Sequence, residues 1–564
     1  MAQAEAASAS AQMVRHFRHI LLWPLQLEAA HGAEVGRKPW RMLDDPRWQH
    51  RWHRVADEFT EDPRDFQERH YKEFVSFLPY VQRFLYGDPR RADDLPEGPL
   101  AAAPMRVFRR DDVRALRVTV TQGDTPVRLD VEHVDLYFFL DLDLILLNVE
   151  LQANDLPLDT VQELLYRFGR AYPSGWDDAG QGLHNLYRAE WLGDDDAVLA
   201  QSDSDDRARY LAFVCQNRAP CVGAHWDWLL RPLVSDHVRD EGPLRYRQIE
   251  YHRMPFMAFL ALENPRALTR DDFIHLGLIS HLRPGDPLPV RDPSVTEFER
   301  RYCDDRYWSG SEAGPNTRFL CSGQSMIVVG EGKSEFFCCR ERGLLAQFRH
   351  QYFLLFVIAH FHRAALLVFS DRLAAAISGL DIRSVDSVRL FKRRIRAIFA
   401  LFLGFTHRYW FPEISERGQV QSLFRRASTH LGNDALFAQV KEQVAEMSNY
   451  LDSDSARRQS NTVVRLTVVT ILGLIGSVST GFLGMNLIAE AEAPLLHRIN
   501  YFVVVVLASA LLTFFAIAKS KRLSDFLEDL SDESLPLRKK VVALFRAMRN
   551  PAPPEKTSER GVLK

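Results

Sequence analysis

Cysteine is scarce in this chain: six residues in 564, Cys215, Cys221, Cys303, Cys321, Cys338 and Cys339, with no C-x-x-C spacing among them. That scatter argues against a disulfide framework or a structural zinc site and fits a reducing compartment. An excess of charge is also missing. Lys+Arg at 71 against Asp+Glu at 74 leaves a formal net charge of -3, so the chain lacks the basic footprint of a nucleic-acid binder, and no nucleic acid is expected as a partner. No Gly-rich phosphate cradle or nucleophile elbow occurs, and the chain is read as not an enzyme, without a cofactor. A secretory signal is lacking too. Arg15 and Arg18 precede an apolar run that Pro24 interrupts, too short a core for export, so the N-terminus is read as mature, cytosolic protein.

Long apolar runs are few. Leu466 to Leu483 and Ile499 to Ala518 carry no formal charge, and at roughly 18 and 20 residues each is near the length that crosses a hydrocarbon core. A third run, FLLFVIAHFHRAALLVF from Phe353, holds His360, His362 and Arg363 near its middle. Those groups are costly in lipid, so this run is read as a buried helix of a soluble domain.

With 46% hydrophobic and 26% charged residues, the rest of the chain can build two or more cores. Residues 1–340 mix strand and helix signals. Val127 to Leu151 is rich in β-branched and aromatic residues with partial alternation and predicts two or three strands. TRFLCSGQSMIVVGEGKSEFFCC predicts a strand pair turning at Gly330 to Gly332, with Cys338 and Cys339 in the second strand. LDTVQELLYRFGRAY predicts a helix capped by Asp159. The acidic stretch from Gly193 to Arg207 reads as a solvated loop, a regulatory cation site being the alternative. Beyond Arg340 the strand signals stop. Two long helices separated by Gly379 and Asp381 are expected, then a shorter one near Val420. A last helix is expected from Asn433 as N-cap, with its apolar seam at Leu436, Val440, Val444, Met447 and Leu451. Neither Pro nor Gly interrupts Asp434 to Leu472, so this helix is expected to run on to Leu483, on the order of 75 Å.

The fold class that follows is an α+β or α/β cytosolic domain, then long stalk helices, then a two-helix transmembrane hairpin. The boundaries are 1–340 for the α/β domain, 341–465 for the helical stalk, 466–518 for the hairpin and 519–564 for a basic cytosolic tail. The connector from Gly484 to Arg498 carries Glu490 and Glu492, whereas Arg457, Arg458 and Arg465 flank one side and Lys519, Lys521 and Arg522 the other. Lys and Arg accumulate on the cytoplasmic side of membrane helices. The expectation is a multi-pass protein of the cell (inner) membrane with both termini cytoplasmic.

Within the first span, Thr470, Gly473, Leu474, Ser477, Thr480, Gly481 and Gly484 recur at three- and four-residue steps and share one face. Val468, Ile471, Leu472, Ile475, Val478 and Phe482 form the other. A stripe of small and hydroxyl residues serves tight helix packing or lines a water-filled path without a fixed charge to trap an ion; Thr470, Leu474, Ser477 and Gly481 are the candidate pore-lining residues. With one such helix per chain, a pore requires several chains around an axis.

The first span ends in STGFLGMNLIAEAEAP. A Gly484-Met485-Asn486 tripeptide at the outer end of the first of two C-terminal spans, an acidic connector, and basic residues after the second span resemble the CorA family of magnesium channels. LTVVTI from Leu466 adds to the likeness, which covers about the last quarter of the chain. The resemblance implies a homopentamer with an α/β cytosolic funnel, a long helix lining the pore, and passage of Mg2+, with Co2+ or Ni2+ also carried; a Zn2+ transporter of the same architecture is an alternative, since related two-span proteins differ in cargo. It implies Gly484, Met485 and Asn486 as selectivity filter, with Asn486 meeting the metal through the ion's water shell and Glu490 and Glu492 concentrating cations outside the mouth. The chain departs from the family pattern in having Leu483 and Leu487 where an aromatic residue is frequent, and in lacking a proline within the first span. A competing reading is a membrane-anchored enzyme or binding module acting through His225 to Trp228 (HWDW), Cys338 with Cys339, or His360 with His362.

Overall fold

The strand Met13–Glu28 (β1) is central to the sheet although it contains a proline. Pro24 has no N–H to give a ladder, which normally keeps proline out of central strands. Here Leu22 N–H donates to Pro255 O, so two residues on, the missing donor of Pro24 faces the same side. On that side the partner changes: β1 pairs Phe256–Leu262 (β11) through Leu21 and Leu244–Gln248 (β10) from Leu25. Pro24 therefore sits in the gap between two partners, where no donor is required.

This computed structural model describes residues 12–515 except 29–42, 44–50, 56–66, 88–103, 140–141, 239–243, 251, 282–292, 309–315, 382–383, 485–493, 498, 501–502, 506, 509–510, 512–514. The chain divides into two units, Met1–Val444 and Ala445–Lys564. The remaining strands of the first unit are β2 (Trp52–Arg54), β3 (Met105–Arg110), β4 (Ala115–Thr119), β5 (Val127–Phe139), β6 (Leu144–Pro157), β7 (Arg188–Leu192), β8 (Val198–Gln201), β9 (Leu233–Ser235), β12 (Cys303–Asp304), β13 (Arg318–Cys321) and β14 (Ser325–Glu331). They form one mixed sheet in the order β12-β13-β14-β11-β1-β6-β5-β4-β7-β8. β10 also pairs with β1 and β9, and β3 links β2 to β5. Among the described residues two ladders are parallel, β9 with β10 and β11 with β14. The first unit is thus a mixed α/β structure built on one large sheet.

The expected strands at Val127 to Leu151 are the antiparallel pair β5 and β6. LILLNVEL, which opens β6, is buried throughout; a strand covered on both faces loses the alternation of a half-exposed one. One cover is the helix Phe353–Ser378, whose Phe361 stacks on Phe139 at 4.3 Å. Among the described residues, Leu344–Ser378 is the one helical stretch long and apolar enough to cross a membrane, and most of it is buried. His360 and His362 lie inside this packing, as a core helix requires. Val385–Arg408 follows, with Phe402 and Phe405 at 5.3 and 5.6 Å from Phe369. Gly418–Leu431 ends at Gly432, whose φ of 68° is a left-handed cap that glycine adopts without strain.

Four local expectations are corrected. The strand pair β13–β14 turns at Ser322 to Gln324, where Ser322 Oγ holds the turn through Ser325 N, because Gly330 is needed inside β14. A Cβ there would lie 2.0 Å from Cε2 of Phe337, which itself stacks on Phe259. Cys338 ends the short helix Glu335–Cys338, capped by Ser334, and Cys339 follows as its C-cap; neither is a strand residue. The helix Leu158–Arg167 starts after Pro157, and Asp159 lies in its first turn. Asn433 opens the last helix, but its amide donates to Ala359 O at 2.9 Å, tying the helix start to the core helix. Gly330→Ala should destabilise the first unit by about 1–3 kcal/mol through overpacking. A urea-unfolding midpoint equal to wild type, followed by tryptophan fluorescence, would contradict that packing.

A buried ion network joins the sheet to the core helix. Arg18 of β1, fully buried, donates to Glu150 Oε1 at 2.5 Å and Gln152 Oε1 at 2.8 Å, with Glu132 at 3.3 Å. Arg349 donates to the same Glu150 oxygen at 2.7 Å. It lies in the π-helical segment Phe348–Tyr352 that leads into the core helix. Burial pushes the Glu150 carboxyl up, but Arg18 and Arg349 outweigh it and hold it at about 2.

Candidate functional site

The helix Asn433–Gly484 is continuous over 52 residues, so the expected helix from Asp434 to Leu483 is present with both ends nearly where the sequence put them. Gly484 is its last residue. Met485, Asn486, Glu490 and Glu492 lie outside the described residues, and so does most of the expected second span.

Thr470, Leu474, Ser477 and Gly481 are all on the exposed side of this helix, Leu474 at 65%. A Cβ placed on Gly473 or Gly481 would meet nothing within 4 Å. On the other side Val468 is buried and Leu472 half-buried. Ile471, expected to pack with them, is instead 51% exposed. The hydroxyls have a common geometry. Thr467 donates to Val463 O, Thr470 to Leu466 O and Thr480 to Gly476 O, each at 2.8–2.9 Å. A threonine that spends its hydrogen on the preceding turn is left with lone pairs on its outer side. Thr467 and Thr470 thus present acceptors, without charge, on the exposed face.

The other candidates lie in packed surroundings, where both ring nitrogens of His360 and Nδ1 of His225 are buried without a hydrogen-bond partner. His225 is buried against the Trp226 ring at 4.9 Å, and burial brings its pKa down to about 3. Asp227 faces Arg231 at 3.5 Å, and Trp228 carries the Arg110 guanidinium at 4.2 Å over its ring. His362 bonds Tyr409 O at 2.7 Å and packs on Trp410; burial lowers it to about 4. His360, lowered to about 3 by burial and Arg363, lies against Phe356. Among the described residues, none of these imidazoles belongs to a group that could hold a metal ion. Cys338 Sγ lies 3.5 Å from Gly332 O, while the backbone N–H of Arg342 points at Cys339 Sγ. In the acidic stretch, Asp194 pairs with Arg114, Asp196 with Arg128 and Asp203 with Arg209. Among the described residues, no group of three or more His, Cys, Asp or Glu is placed to hold a metal ion.

Sequence reading passed over two charged groupings, the Arg18–Glu150–Arg349 network and an arginine–histidine cluster around Tyr166. Neither leaves a complete local pattern: the first joins β1, β5 and β6 to Arg349, and the second joins the end of the helix Leu158–Arg167 to Arg253, 88 residues beyond Leu165. No family model, curated protein or solved structure matches the chain.

Proposed function

We propose that the chain is the subunit of a CorA-like divalent cation channel in which first membrane helices from several copies surround the pore and Gly484, Met485 and Asn486 select hydrated Mg2+. The observation that carries this reading is the end of the long helix: a neutral face of hydroxyl acceptors and bare glycines, left exposed among the described residues. Mg2+ surrenders its waters reluctantly, so a wall of neutral acceptors suits a hydrated ion better than a charged cage. Support also comes from the exposure of Leu466, Leu495, Leu496, Val504, Leu507 and Leu511 in the second unit. Apolar surface of that extent needs lipid or neighbouring copies to cover it.

Mg2+ flux into proteoliposomes, compared with Co2+, Ni2+ and Zn2+ in one preparation, tests the function and ranks the cargo. Absence of flux from a correctly assembled oligomer would return the protein to the membrane-anchored binding module. A mass in detergent of only one or two chains would count as heavily against the channel. Within the stripe, Ser477→Phe should cut flux at least tenfold by filling the path, whereas Ile471→Leu, which conserves volume, should leave it within about twofold. Equal small effects from both, with assembly intact, would assign the stripe to helix packing.

A further inference from the structure

Tyr166, at the end of the helix Leu158–Arg167, is surrounded by basic side chains from four segments. The Arg170 and Arg253 guanidiniums lie 4.9 and 5.8 Å from its ring centre. His281 stacks on the ring at 4.9 Å, and His184 Nδ1 is 2.8 Å from its hydroxyl. His252 Nε2 accepts from Arg170 Nη1 at 2.5 Å. Arg167 reaches Glu163, as does His281. Glu163 is the one carboxylate paired to any of these groups among the described residues.

The backbone makes the crowding of charge deliberate. Arg170 and Arg253 are directly opposite each other in an antiparallel β-bridge, with Met254 N bonded to Gly169 O and Ala171 N to His252 O. Like charges at directly opposed positions destabilise such a pair. Arg170 is only 6% exposed, and neither arginine has a carboxylate within ion-pair distance among the described residues. Arg170 donates to Tyr166 O and Arg253 to Leu165 O, so the carbonyls at the end of the helix take one donor from each. Arg253 Nε is buried with no partner. A helix C-terminus supplies about half a negative charge. Three guanidiniums set against that half charge and Glu163 leave roughly 1.5 positive charges uncompensated. The neighbours respond: burial and then Arg170 lower both Arg253, to about 10, and the two histidines His184 and His252. Buried charge persists in proteins when something pairs with it.

We propose that this cluster binds a phosphate-type dianion, held by the remaining N–H groups of Arg170 and Arg253 with His184 and His252 beside them. Paired guanidinium forks match the oxygens of a tetrahedral dianion, and two neutral imidazoles can each add a donor or take up a proton as the anion arrives. Free phosphate and a phosphate ester share this chemistry. The site lies wholly in the first unit and does not rest on the transport reading.

The test uses full-length protein in detergent at constant ionic strength, with inorganic phosphate replacing chloride. Acylation of His184 by diethyl pyrocarbonate, read by mass spectrometry, should slow at least severalfold and saturably with phosphate. His53, an exposed histidine in another part of the first unit, should react at an unchanged rate. Arg170→Gln and Arg253→Gln should each weaken the phosphate-dependent rise in thermal midpoint at least about tenfold in apparent affinity, as expected for loss of a charge-assisted fork. ATP and inositol hexakisphosphate run alongside: stronger protection by either identifies an ester as the ligand, and equal protection the free ion. His184 acylation indifferent to all three anions in wild-type protein, or slowed equally at His53, would overturn the site. That arm needs no variant to fold.

Discussion

Asn486→Ala protein, reconstituted in liposomes, is expected to assemble like wild type but to pass Mg2+ at least a hundredfold more slowly. The substitution removes one neutral acceptor per subunit and leaves Gly484 and Met485 to shape the chain. In the proposed filter the ion keeps its first water shell, because stripping Mg2+ costs more than gripping its waters. Each lost water-to-carbonyl bond is worth about 1 kcal/mol net, so losing three of them around the ring accounts for a factor above one hundred. Asn486→Asp should act in the other direction on binding. A ring of carboxylates is a stronger field than a ring of amides, so cations should be held longer, released more slowly and selected differently. Uptake at wild-type rate by a correctly assembled Asn486→Ala oligomer would remove the filter assignment and most of the case for a CorA-like channel.

The largest effect on stability is expected at Glu150. In Glu150→Ala, Arg18 and Arg349 would face each other with Glu132 the one carboxylate left to them among the described residues, at 3.3 and 3.5 Å, and Arg18 is fully buried. Breaking a buried pair from one side costs about 3–5 kcal/mol, because the surviving charge has no water to return to. Replacing the group together, Arg18→Met with Glu150→Leu and Arg349→Met, should be milder, since the carboxylate that then loses its partners, Glu132, keeps part of its side chain in water. The pH dependence has a definite sign. The folded Glu150 carboxyl is held at about 2, below its ordinary value of 4.5, so its contribution is complete above the ordinary range and is lost as pH falls toward 2. Denaturant titrations of the wild type and the two variants across pH 2–7 would check both claims. A single variant as stable as wild type would show that the network contributes nothing to holding the core helix on the sheet.

The elements legible in the residues alone were those whose signal is local. β5 and β6, the core helix around His360, the break at Gly379, and the uninterrupted helix to Gly484 all follow from periodicity and from the absence of breakers over a few turns. The exposed stripe from Thr470 to Gly481 is of the same kind, since helical spacing fixes a shared face wherever the helix goes. Local reading failed where a distant partner overruled it. Gly330 looked like a turn and is a strand residue because Phe337 occupies the space its side chain would need. Pro24 looked like an interruption and is accommodated because the neighbour of β1 changes beside it. Asn433 looked like a cap and instead bonds a carbonyl 74 residues away. The clamp at Glu150 and the arginine bridge at Tyr166 belong wholly to the tertiary structure. A charge pairs or repels according to what the fold brings within a few ångströms and how much water it leaves there, and neither quantity is written along the chain.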